Sequence, residues 1–69
     1  MKYAADELLA TDRAVRVGLG VRDGQTIADR AREVLVAGGP GRERLNGAAV
    51  AVLTAPGWPG IKAAAEVLA

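Results

Sequence analysis

A chain of 69 residues with no cysteine and no histidine has neither a disulfide nor an ordinary zinc site to hold it together. Domains of this size bury only about 60% of the surface their unfolded chains expose, and they usually need such a staple. What remains is apolar packing, and the stock for it is lean. There are 15 alanines, no phenylalanine, and only Tyr3 and Trp58 as aromatics. Ordering each residue costs about 1.5 kcal/mol, so a core made largely of methyl groups leaves little surplus. The expectation is a fold completed from outside, by a second copy or by a protein partner.

The same absences narrow the chemistry. Serine is missing as well, so the side chains that carry most nucleophilic catalysis and transition-metal binding are not available. The reading is non-enzymatic, with no cofactor, no metal and no small-molecule substrate. Nine basic and eight acidic residues leave a formal charge of +1, far from the basic surplus of a domain held mainly by phosphate contacts. Seven of the nine bases are arginine, and alanine and glycine abound, a bias that fits a GC-rich genome such as that of a high-GC bacterium or one of its phages. Lys2 is followed by Asp6 and Glu7 where a signal peptide would turn apolar, so secretion by that route is not expected. The uncharged stretch from Leu45 to Ile61 approaches the length of a membrane span. It is interrupted by Asn46, Pro56, Pro59 and three glycines, and reads as a buried helix followed by a turn. The place expected is the cytoplasm, or a virion assembled there.

Hydrophobic spacing predicts a mainly α domain, 1–69, of three to four short helices. The clearest runs from Thr26 to Ala37. Thr26 and Asp29 stand at capping-box spacing, and Ile27, Ala31, Val34 and Leu35 recur on one face before Gly38-Gly39-Pro40 stops the helix. A second is expected from about Pro40 to Ala55, with Leu45, Ala49, Val52 and Leu53 on one face; the turn pair Asn46-Gly47 would instead delay its start to near Ala48. A third is expected from about Pro59 to the end, with Ile61, Ala65 and Leu68 on one side. Residues 4–10 also look helical.

The stretch 14–22 supports two readings. Val15, Val17, Leu19 and Val21 alternate with polar residues and glycine, which is strand periodicity, and Asp23-Gly24 would close it. A helix from Asp12 must instead tolerate Gly18 and Gly20, at about 1 kcal/mol each. Helix is preferred. The alternative is an α+β fold whose strand pairs with a partner chain, since nothing within the chain would pair with it.

The glycine motifs carry no cofactor site. Gly18-Leu19-Gly20 with Gly24 misses the dinucleotide fingerprint by one residue, and Gly38-Gly39-Pro40-Gly41-Arg42 lacks the Gly-Lys-Ser/Thr ending of a phosphate loop. The carboxylates mostly stand three or four residues from an arginine, as in Asp12–Arg16, Asp29–Arg32 and Arg30–Glu33, which is the pattern of solvated helix surfaces. Arg13, Arg16, Arg42 and Arg44 offer a basic stripe for nucleic acid, but acids dilute it and no aromatic is interleaved to stack a base. A small nucleic-acid-binding regulator is the lesser reading.

Trp58, held in Pro56-Gly57-Trp58-Pro59-Gly60, is the residue that stands out: either it fills the core, or a stiff turn presents it as an interface anchor. The expected contact surface is Leu53, Trp58 and Ile61, with Val17, Leu19 and Val21 from the ambiguous stretch. The function expected is a small structural or interaction protein that associates with itself or docks onto a larger assembly, and in its sharpest form an accessory component of a phage virion or similar shell.

Overall fold

The computed structural model of the chain describes residues 5–69, and in them four helices: α1 (Ala5–Leu19), α2 (Ile27–Ala37), α3 (Glu43–Thr54) and α4 (Trp58–Leu68). The protein is mainly α, and no strand forms among the described residues. Of the segment 4–10, Ala4 lies outside the described residues; the rest belongs to α1.

The stretch 14–22 is helical up to Leu19, and its ending explains why the strand alternative fails. Gly20 adopts φ +81°, which costs an L side chain but not glycine. That lets the Gly20 amide donate to the Val17 carbonyl at 3.2 Å and the Val21 amide reach back to the Arg16 carbonyl at 2.9 Å. These two bonds are a Schellman closure, which satisfies carbonyls that a helix end leaves free. Asp6 and Glu7 in the first turn and Arg16 in the last suit the helix dipole. Helical spacing then sends Val15 and Leu19 inward, while Val17 is left outside.

Thr26 caps α2 as its position in the sequence implies. Its backbone is extended, and its hydroxyl accepts the Asp29 amide at 3.0 Å. Ile27, Ala31 and Val34 are buried as expected, but Leu35 is not; it sits at the edge of that face, 38% exposed. α3 begins at Glu43, later than Pro40 and earlier than Ala48. Pro40 and Gly41 form the preceding turn, and no side chain caps the helix. Asn46-Gly47 is helical despite its turn character. A Cβ on Gly47 would stand 3.4 Å from Val67 Cγ1, so α4 packs directly over the glycine and its packing outweighs local preference. The Asn46 Oδ1 bears part of the cost, being enclosed with no hydrogen-bond partner.

α3 is the centre of the assembly, packed most extensively against α4 and α2, while α1 rests chiefly on α4. The core where they meet consists of Val15, Leu19, Ile27, Ala31, Val34, Ala48, Ala49 and Ala64. Half of these are alanines, so the helices are drawn close and their spacing is set by backbone bulk. Gly60 is the extreme case. A Cβ there would collide with the Ala55 carbonyl oxygen and stand 3.0 Å from that of Ala51.

Candidate interaction surface

The turn Ala55–Gly57 and the first turn of α4 place the apolar side chains that the core does not absorb. Gly57 turns the chain with φ +81°, and Pro59 opens α4 where its missing amide hydrogen is not needed. The tight seat of Gly60 against α3 fixes where this turn of helix lies. Trp58 projects from it, 39% exposed.

Two separate clefts each take residues from the start of α4 or the turn before it. One, of about 390 Å³, lies between α4 and the beginning of α1 and is lined by Glu7, Leu8, Trp58 and Lys62. The other, of about 300 Å³, opens where the start of α2 meets the end of α3. Ile27, Ala28, Val52, Leu53, Pro56, Gly57 and Ile61 line it. No charged or hydrogen-bonding side chain contributes to that second lining. It can exclude water and hold an apolar group, but it can neither polarise a bond nor move a proton.

The structure thus brings Leu53 and Ile61 together in one cleft and sets Trp58 in the other. Val17 stands apart on α1, 75% exposed. Leu19 is 1% exposed and belongs to the core, with nothing to offer a partner, and Val21 is half-buried against it. Ile27, Ala28 and Val52 were absent from the expected surface. Helical periodicity places the first and third on the apolar faces of their helices, and which end of such a face stays open is invisible in the pattern.

Large apolar side chains are exposed both at the clefts and elsewhere on the molecule. Among the described residues Leu9, Val17, Leu35, Val36, Val50, Leu53, Trp58 and Val67 are between 36% and 88% exposed, whereas Val15, Leu19, Ile27 and Val34 are buried and Val21, Leu45, Val52, Ile61 and Leu68 pack half-buried against them.

Polar contacts cluster elsewhere, at the junction of α1 and α2. Arg30 donates its Nε to the Leu19 carbonyl at 2.7 Å, capping the end of α1 from the neighbouring helix. Glu33 accepts from Arg22 at 3.1 Å and from Arg30 at 3.2 Å. The Arg22 hydrogen bond is the largest influence on Glu33; with Gln25 and Arg30 adding to it, the carboxyl is held down from 4.5 to about 2. Glu33 in turn pushes Arg22 up. Arg32, and then the Thr26 hydroxyl, lower Asp29. These groups lie open to water and face arginines. They form an electrostatic clasp and not an acid–base pair poised for chemistry. Of the arginines considered for nucleic acid, Arg13 and Arg16 stand on α1, with Arg16 held by Asp12 at 2.7 Å, while Arg42 and Arg44 stand at the start of α3. No helix of the described residues is long and apolar enough to cross a membrane.

The chain matches no protein-family model, no curated protein and no solved structure.

Proposed function

We propose that this chain is a non-enzymatic structural or interaction protein whose fold is completed by self-association or by docking onto a larger assembly. The observation that carries this reading is the number of large apolar side chains left in contact with solvent, eight of the described ones being between 36% and 88% exposed. Scattered apolar residues are normal on any surface. In a domain whose fully buried core is half alanine, however, the exposed set is a further source of hydrophobic stabilisation that a covering partner would add. Fully burying one valine, leucine or isoleucine is worth about 1.5–3 kcal/mol, so covering even a few of them matters to a small domain.

Obligate association couples folding to protomer concentration. Light scattering and circular dichroism across a dilution series test this. Mass and thermal midpoint should rise together with concentration, or on addition of the cognate assembly. A monomer equally stable at every dilution, and unchanged on addition of the cognate assembly, would contradict the reading.

The finer form of the proposal is an accessory component of a phage virion or similar shell, assembled in the cytoplasm. Its support is the alanine-, glycine- and arginine-rich composition together with the apolar exterior. Peptides of this chain in purified particles, at a fixed ratio to the shell protein, are the expected result.

A further inference from the structure

We propose that α1 is a detachable helix: it lifts off as one unit about the turn at residues 22–24 while α2, α3 and α4 stay folded, and so controls access to the core face beneath it. This goes beyond the association argued above and does not depend on it. Six of the eight core residues, Ile27, Ala31, Val34, Ala48, Ala49 and Ala64, come from α2–α4, and α1 supplies only Val15 and Leu19. From Asp6 to Ala14 no residue of α1 is buried; Leu8, Thr11 and Asp12 are half-buried and the others exposed. α3, by contrast, is packed extensively against both α2 and α4. Sparse burial is what lets a segment open at a lower free energy than global unfolding.

The strongest ties of α1 fall at its C-terminal end. Val15 and Leu19 enter the core, Gly18 lets Leu68 of α4 approach, and Arg30 donates to the Leu19 carbonyl at 2.7 Å. The bonds that close the helix, from the Gly20 and Val21 amides, and its Asp12–Arg16 pair are internal to it and travel with it. Beyond Val21 the chain has room to bend. Arg22, Asp23 and Gly24 are exposed, and a Cβ at Gly24 would meet nothing within 4 Å. The Arg22–Glu33 pair, at 3.1 Å, lies in water and can part without leaving a buried charge. Lifting α1 bares the apolar face that Val15 and Leu19 cover, so this one helix governs whether that face is reachable.

Native-state hydrogen exchange of the full chain, over a series of urea concentrations below the unfolding transition, tests this. The amides from Arg16 to Leu19 should be protected at least about tenfold less than those of Ala48 and Ala49. Their exchange should depend on urea with a finite but shallower slope, because lifting one helix exposes less surface than unfolding the chain. Val52→Ala then separates the two units. Val52 lines the cleft among α2, α3 and α4, so its contacts persist when α1 lifts. The variant should speed exchange at Ala48 and Ala49 about tenfold and leave Arg16 to Leu19 unchanged, since the forms with α1 seated and lifted lose the same contact. Equal protection and one urea slope in α1 and α3 overturn the proposal, as does acceleration of α1 by Val52→Ala. Exchange from Arg16 to Leu19 with no urea dependence is fraying of single turns and overturns it too. Should Val52→Ala fail to fold, the wild-type slopes decide alone.

Discussion

Between α1 and α2 the chain turns through residues 20–26 under polar contacts: the Thr26 cap, the Arg30 bond to the Leu19 carbonyl, and Glu33 between Arg22 and Arg30. Between α3 and α4 it turns through residues 55–57, and no side chain caps the helix that follows. There the position is set by contact of Gly60 with the Ala51 and Ala55 carbonyls. The first junction is made of forces that act at a distance and degrade gradually, so it should lose stability in small, salt- and pH-dependent steps. The second is made of hard-sphere contact, which has almost no intermediate state. Two helix–helix corners of similar size in one small domain should thus fail in different ways.

The largest effect is expected at the steric corner. Gly60→Ala puts a methyl group against two backbone oxygens that cannot rotate away, and should cost ~3 kcal/mol, near the upper range for overpacking. Urea denaturation would then show a chain close to unfolded, and a midpoint equal to wild type would mean the corner can open. Gly18→Ala sharpens the point. Its nearest neighbour would be Leu68 Cδ1 at 2.7 Å, the free end of a flexible side chain. A gain of about 1 kcal/mol in helix propensity should offset that displacement, leaving stability within ~1 kcal/mol of wild type.

At the polar corner, Arg30→Ala removes the bond that closes α1 and should cost about 1–2 kcal/mol, with the amides at the end of α1 exchanging faster in proportion. Unchanged exchange there would show that the Schellman closure suffices alone. Thr26→Ala should cost about 1 kcal/mol, the usual loss for a helix cap, read as a shift in thermal midpoint. On α3, Gly47→Ala should stabilise by ~0.5–1 kcal/mol, because the 3.4 Å approach of Val67 leaves room for a methyl group. A loss instead would mean that α3 and α4 are in closer contact than the other glycines imply.

The smallest effect is pH dependence. Glu33 titrates at about 2 in the folded chain against 4.5 in the ordinary state. A depressed carboxyl binds fewer protons folded than unfolded, so its contribution is fully present above pH 4.5 and is lost as pH falls towards 2. Asp29 is lowered too and acts in the same direction. Glu33→Gln should flatten the acid limb of a stability–pH profile only in part, since Asp29 remains. An unaltered limb would place the acid sensitivity outside this clasp.

Much of the local structure was legible in the sequence. Thr26 and the spacing of Ile27, Ala31 and Val34 define α2, and the Asp12–Arg16, Asp29–Arg32 and Arg30–Glu33 pairs form at the separations that place them on one helix face. The strand-like alternation of Val15, Val17, Leu19 and Val21 was undecided for a physical reason. Period two and period four coincide at Val15 and Leu19, and only the closure at Gly20 separates them. The side chains expected at a contact surface are scattered by the fold. Leu53 and Ile61 line one cleft and Trp58 another, Val17 stands apart on α1, and Leu19 lies in the core.

What the sequence determined by itself is therefore what lies within one turn of helix: caps, stops, the inward face and the pairs three or four residues apart. Those depend on backbone geometry that repeats every 3.6 residues and needs no distant partner. The tertiary structure alone decided which glycine is sterically indispensable, which carbonyl Arg30 closes, that Arg22 reaches Glu33 eleven residues away, and which end of the apolar face stays open. Each of these depends on how closely two helices approach. In a core half made of alanine, that distance is set jointly by all the packed faces and is encoded in none of them singly.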